Sequence, residues 1–404
     1  MKITNLRRDK GEGRIRISAA VQWEDCQRPA YELFFETEEH LSDYLTLNPD
    51  AFLVGCIIPA LHYGERRVLV EGSVCPELIQ NLKVAIDLLN FWFPSPQRSK
   101  SLVIEADRIE SKPNRLNDRK SAFFFSGGID SFATLRTNRL AFPKDHPMFI
   151  HDGLLVYGLE QDDPQLFKHV YKSLLAVAKL ADIFFIPVYT NVYLVYRPED
   201  KQNHFHLWEY EFGGAALAAV GHAFTNRTSN IYIANTWYLS HLDPWGSHPL
   251  LDPYFSSFNL KVIHDGFTQS RFQKTKLVAG WDAALKNLRV CNKYRLYNEN
   301  YLNCGKCEKC LRTMLALTAL KKYDKTDAFP VKHISQDYAK KHAKPSNDFQ
   351  VGLYKEMVDP LIQAGRQDLS EAIRHNIELY YRRIKKRKLK QTVSSAFNKI
   401  TGKH

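Results

Sequence analysis

The sequence predicts an α/β protein: a doubly wound parallel sheet with a structural zinc site, preceded by a small α+β domain. Three observations carry this. From Ser121 onward, short continuous apolar runs alternate with helical stretches of about 15 to 20 residues, the pattern of strands covered on both faces. A double glycine breaks the chain directly after the first of those runs. Four of the seven cysteines fall within one segment of twenty residues, 291–310.

Residues 1–115 form the expected N-terminal domain. Strand-like runs ("RIRISAAVQW", "AYELFFETE", "RRVLVEGSV") surround one strong helix, "CPELIQNLKVAIDLLNFWF", and the region ends in "PSPQRSK". The α/β domain spans 116–345. Its strands read as "AFFF", "GLLVYG", "IFFIPVYT" and "IYIAN", with "DDPQLFKHVYKSLLAVAKLA" and "HLWEYEFGGAALAAVGHAF" as helices between them. A helical, basic extension occupies 346–404.

Composition bounds the class. A chain of 404 residues, 44% hydrophobic and 12% aromatic, buries a sizeable core and excludes a disordered protein. The N-terminus has no apolar signal core, and no stretch nears the roughly 18 apolar residues of a membrane span, so a soluble cytoplasmic protein is expected. The net charge of +12 is concentrated: in "RRIKKRKLK" (382–390), seven of nine residues are basic. Such a run is a solvated helix face or a grip for phosphates or an acidic partner, and by itself it does not make a nucleic-acid protein.

The break after the first apolar run reads "SAFFFSGGIDSFATL". In an open α/β sheet, ligands bind outside the carboxyl ends of the strands. Gly127 and Gly128 allow backbone angles and close approaches that side chains prevent, so successive N–H groups can turn inward as an anion-binding nest. A helix starting near Ser131 adds its positive end. Ser126 and Ser131 supply hydroxyl donors, and Asp130 suits a magnesium ligand or a loop-bracing acceptor. The loop lacks the GxxxxGK[ST] pattern and the lysine of a Walker P-loop.

Of the cysteines, Cys26, Cys56 and Cys75 are scattered and read as small buried hydrophobes. Cys291, Cys304, Cys307 and Cys310, spaced Cys-x12-Cys-x2-Cys-x2-Cys with Gly305 in the first tight turn, supply four thiolates. Four sulfurs fill a tetrahedral sphere and leave no position for water, so the expected ion is a structural zinc. An iron–sulfur cluster and a redox CxxC pair are the alternatives.

The loop S-G-G-x-D-S resembles the pyrophosphate loop of the N-type ATP pyrophosphatases (PP-loop proteins, adenine nucleotide alpha hydrolase-like fold). With the cysteines some 160 residues later, the stretch of roughly 120–320 resembles the QueC family, the 7-cyano-7-deazaguanine synthases of the queuosine pathway. The resemblance implies ATP and Mg2+ at Ser126, Gly127, Gly128, Asp130 and Ser131, and Zn2+ at the four cysteines. It also implies a lysine, Lys274 or Lys276, that neutralises charge on the departing pyrophosphate. In that family ATP adenylates the carboxylate of 7-carboxy-7-deazaguanine and ammonia displaces AMP to give the amide; a second activation then gives the nitrile.

Two departures stand out. Where the family carries a Tyr-Pro-Asp-Cys-Arg-like stretch, this chain has "TWYLSHLDPWGSHPLLDP", in which Trp237, Trp245, Ser247, His248 and Asp252 are available to stack on or hydrogen-bond a flat heterocycle. The chain also adds about 115 residues in front of the core and about 80 behind it. That outline resembles the longer QueC-like proteins of bacterial anti-phage operons, which implies a protein amine from the same operon as acceptor. Two other functions compete: a tRNA-modifying enzyme of the same loop superfamily, with the basic tail as its RNA grip, and a zinc-stapled scaffold with a dead nucleotide fold. The intact loop argues against the scaffold.

Overall fold

The structure is a computed structural model that describes residues 1–98, 101–111, 118–159, 163–196, 206–291 and 301–401, with the backbone alone at 206 and 391–401. The expected boundary at 115 and 116 lies outside the described residues, as do 292–300 within the cysteine segment. Two compact units make up the chain: 1–126 with 130–269, and 127–129 with 270–404.

The first unit is built on one ten-stranded sheet. Its strands are β1 (Lys2–Gly11), β2 (Arg14–Gln22), β3 (Tyr31–Glu38), β4 (Arg67–Val74), β5 (Val103–Ile109), β6 (Lys120–Phe124), β7 (Ile150–Tyr157), β8 (Phe184–Thr190), β9 (Thr228–Ala234) and β10 (Lys261–Asp265). Their order is β10-β9-β6-β7-β8-β3-β2-β1-β4-β5. Strands β6 to β10 are parallel, whereas β3 joins β8 antiparallel through Phe35 opposite Thr190 and Glu36 opposite Tyr189. Side chains extend this short seam. Thr37 Oγ1 donates to the Pro187 carbonyl and Thr190 Oγ1 to that of Phe34, both at 2.6 Å, and Asn191 accepts from Phe34 N and donates to Glu32 O.

The N-terminal region holds two helices, α1 (Pro49–His62) and α2 (Pro76–Trp92), where the sequence predicts one. Residues 50–61 of α1 are all buried, so the helix is apolar all round and shows no amphipathic stripe. In α2 a proline at the first position and buried leucines along one face make the pattern readable.

Between the parallel strands run α3 (Ile129–Ala141), α4 (Pro164–Leu180) and α5 (Gly213–His222). Asp163 caps α4, accepting from the N–H groups of Gln165 and Leu166. The single helix expected over 206–224 is instead a π-helix, His206–Phe212, leading into α5. The reason is an inserted loop: Gly246 donates its N–H to the Glu209 carbonyl at 2.7 Å and accepts from Gly214 N at 2.6 Å, occupying bonds that an α-helical ladder would use.

The second unit is helical: α6 (Arg271–Ala279), α7 (Asp282–Lys286), α8 (Glu308–Ala319), α9 (Gln336–His342), α10 (Asp348–Gln363) and α11 (Gln367–Thr401). Ser270 and Gln273 form a capping box on α6. The run 382–390 lies on α11 with its lysines and arginines exposed. Among the described residues, no helix is long and apolar enough to cross a membrane.

Candidate functional site

Within the first unit the parallel strands are ordered β8-β7-β6-β9-β10. The chain leaves β6 for β7 on one side and later returns to β9 on the other. The two therefore diverge at the carboxyl end of β6, which makes a topological switch point there. Phe125 still bonds strand-fashion, its N–H donating to the Leu154 carbonyl at 2.8 Å. Then the chain turns: Ser126 is exposed, Gly127 takes φ +75°, and α3 begins at Ile129. That positive φ is the left-handed conformation for which the double glycine is suited.

Ser126 Oγ donates to Ser131 Oγ at 3.4 Å across the loop, and Ser131 is buried. Asp130, in the first turn of α3, accepts from Thr236 Oγ1 at 3.4 Å, so the loop after β6 is tied to the chain leaving β9. One turn further, Thr134 Oγ1 donates to Asp265 Oδ2 at 2.6 Å. Asn235 shapes the neighbouring loop: its N–H donates to the Asp265 carbonyl at 2.8 Å and its Oδ1 accepts from Trp237 N at 3.1 Å. Hydroxyls, a carboxylate and the positive start of a thirteen-residue helix thus converge where an α/β sheet binds anions.

The sequence-named heterocycle contacts separate into two groups. Trp237 and Trp245 are half-buried with ring centroids 5.2 Å apart, and Trp245 continues to Tyr210 at 4.9 Å. Ser247, His248 and Asp252 turn inward on one another. Asp252, fully buried, accepts from Ser247 Oγ at 2.7 Å, from the His248 N–H at 3.1 Å and from His264 Nδ1 at 2.7 Å. A Cβ on Gly214 would stand 2.2 Å from Asp252 Oδ1, so that close approach requires glycine. His264 is the member that the sequence analysis missed. The one signal available was a histidine sharing the buried face of β10 with Val262.

The two lysines differ sharply. Lys274, in the first turns of α6, is 2% exposed, whereas Lys276 is exposed to solvent. Both belong to the second unit.

In that unit Cys291, Cys304, Cys307 and Cys310 are all buried, with their sulfurs within 4.8 Å of one another. The Cys304 to Cys310 and Cys291 to Cys307 separations are 3.9 and 3.7 Å. Four sulfurs held about 2.3 Å from one tetrahedral ion stand about 3.8 Å apart, so the cluster could hold a single metal ion. A multi-iron cluster would spread the sulfurs further, because they are divided among two or more irons. The first knuckle is built for sulfur: Cys304 Sγ accepts from the N–H groups of Lys306 at 3.4 Å and Cys307 at 3.3 Å, while Gly305 takes φ +71°. Asn303 fastens the distant ligand, accepting from Val290 N and Cys291 N and donating to the carbonyls of Leu288 and Ala328. Two residues before Cys291, Arg289 donates its backbone N–H to the Gly127 carbonyl at 2.7 Å.

No family model, curated protein or solved structure matches this chain.

Proposed function

We propose that the chain is an ATP-dependent adenylating C–N ligase of the QueC-like, PP-loop type, acting on a 7-deazaguanine carboxylate. The observation that carries the proposal is the placement of S-G-G-x-D-S at the switch point beyond β6, where its glycine turn opens into the N-terminus of α3. The substrate carboxylate attacks the α-phosphorus of ATP, and the bond to the pyrophosphate oxygen breaks. Ammonia or a protein amine then attacks the acyl carbon and AMP leaves.

In this scheme the N–H groups of Gly127 and Gly128 and the hydroxyls of Ser126 and Ser131 receive the departing diphosphate. Asp130, steadied by Thr236, would hold Mg2+, which neutralises phosphate charge. Of the two lysines that the resemblance offers for charge neutralisation, Lys274 is buried and Lys276 is exposed. The cysteine cluster would carry Zn2+ as a staple, since four thiolates leave no position for a reactant.

The test is to supply the purified protein with ATP, magnesium and 7-carboxy-7-deazaguanine. AMP and pyrophosphate are the expected products, and mass spectrometry distinguishes nitrile, amide and protein adduct. Release of ADP and orthophosphate overturns the proposal. A second function, tRNA modification, draws on a groove beside α11 lined by Lys344, Arg382, Arg383, Lys385 and Lys386. It requires RNA binding that weakens steeply with salt.

A further inference from the structure

Beside α11 a groove of ≈ 590 Å³ runs between the helix and the loop that carries Lys344, within the second unit. Five of its eight described lining residues are lysines or arginines. The lined stretch of the helix also holds two exposed leucines, Leu379 at 37% and Leu389 at 57%. Ten positions on a helix set them about 15 Å apart along its axis, with the basic residues of the groove between them.

The positive charge here is not answered within the chain. Glu378 is the last acidic residue, and 379–404 holds nine lysines and arginines. Arg382 pairs with Glu378 at 3.7 Å, an exposed contact of the kind that contributes little. Arg383 donates to the Pro345 carbonyl at 3.4 Å, which ties the helix to the facing loop. Lys344, Lys385 and Lys386 have no ion-pair partner among the described residues. Like charges gathered in one concavity repel, so the groove is complementary to a negatively charged occupant.

The leucines and the shape choose among anions. Single-stranded nucleic acid is held by cations together with aromatic stacking platforms, and none of the described lining residues is aromatic. A phosphate backbone would also leave Leu379 and Leu389 uncovered. A bilayer takes a helix that presents a continuous apolar face, whereas these two leucines are separated by cations and Lys344 stands on the opposite wall. A second copy presenting the same face would set five cations against five. A helix with carboxylates and apolar side chains on one face meets both features, in the helix-in-groove manner.

We propose that the groove beside α11 docks an acidic amphipathic helix of a partner protein, its carboxylates meeting the lysines and arginines while two apolar side chains cover Leu379 and Leu389. The docking is independent of the adenylation proposed above, and its test involves no ATP.

The probe is a labelled glutamate–alanine peptide with two leucines eleven positions apart, which a helix sets about 16 Å apart on one face. Its control has serine at both leucines and the same charge. Fluorescence anisotropy with the full chain should show one saturable site for the leucine peptide, with the serine peptide about tenfold weaker and both weakened by salt. Charge reversal by Lys385→Glu with Lys386→Glu should weaken both peptides about tenfold or more at an unchanged melting temperature, because both side chains are exposed. Should that variant melt lower, Leu389→Ser, at an exposed position, should still weaken the leucine peptide and leave the serine peptide unchanged. Equal affinities for the two peptides, no saturable binding, or undiminished binding to the charge-reversed variant would each overturn the proposal. So would tighter binding of a single-stranded RNA of equal charge, which would favour the RNA reading instead, or of phosphatidylcholine–phosphatidylserine vesicles.

Discussion

The four cysteines and the loop 126–131 are both short polar runs with a glycine in a positive-φ turn, yet the structure treats them in opposite ways. Around the cysteines every ligand is buried, and backbone N–H groups and the Asn303 amide spend their hydrogen bonds on holding the ligands in place. Around the loop Ser126 is exposed, Asp130 is half-buried, and the Ser126–Ser131 and Thr236–Asp130 hydrogen bonds are long, at 3.4 Å. A closed polar site is locked into the fold, whereas a half-open loop stays within reach of solvent.

The sharpest break of this contrast is Cys307→Ser. A closed structural site should lose about one equivalent of zinc and most of the stability of the helical unit, since apparent binding energies of about 10–16 kcal/mol are at stake in such sites. Metal analysis with a thermal melt checks it, and a metal-free variant melting like wild type would remove the structural role. The loop predicts the reverse pairing. Asp130→Asn should reduce pyrophosphate release about 100-fold, the usual loss for one preorganised electrostatic contact, with the melting temperature nearly unchanged. If stability and rate fall together, Asp130 is a brace and not a site residue.

A third test concerns a closed group inside the first unit. His222 is buried, with Nε2 facing the Phe255 carbonyl at 2.8 Å, and burial pushes its pKa down to about 4. Below about pH 6.5 the unfolded chain takes up a proton that the folded chain refuses, so the His222 contribution alone lowers stability by about 1.5 kcal/mol between pH 6.5 and 5. Asp50 acts in the opposite sense, because burial raises it to about 6 and the folded state keeps a proton that the unfolded state releases. The two groups largely offset each other in wild type, so urea melts should show His222→Gln gaining about 1.5 kcal/mol relative to wild type between pH 6.5 and 5. The smallest effect expected is that of Ser126→Ala, a loss of a few fold in pyrophosphate release, because the backbone N–H groups of the glycines survive it; a loss as large as that of Asp130→Asn would make the hydroxyl, not the backbone, the main contact.

Legibility followed the range of the interactions. The strands β6 to β9 announced themselves because a strand covered on both faces is a continuous apolar run, and the four cysteines because their spacing is itself a geometry. Helix α1 did not, since a helix buried all round has no period to find. Nor did the place of β3: its pairing with β8 rests on residues about 150 positions away, and nothing local to "AYELFFETE" names that neighbour. The same distance effect hid His264, whose meaning depends on an aspartate in the preceding loop.

That seam between β3 and β8 has a consequence during synthesis. Strands β1, β2 and β3 are near neighbours in the chain and pair with one another as a meander, which needs no later part of the chain. β3 must then wait for a partner about 150 residues further along. At roughly 5–20 residues per second the ribosome takes about 8 to 30 seconds to deliver β8. For that interval the nascent chain carries a bare edge beside Phe34 and Phe35, open to pairing with any strand nearby. Faster elongation would shorten the exposure, and protection of this edge would be most needed between the emergence of Glu38 and that of Thr190.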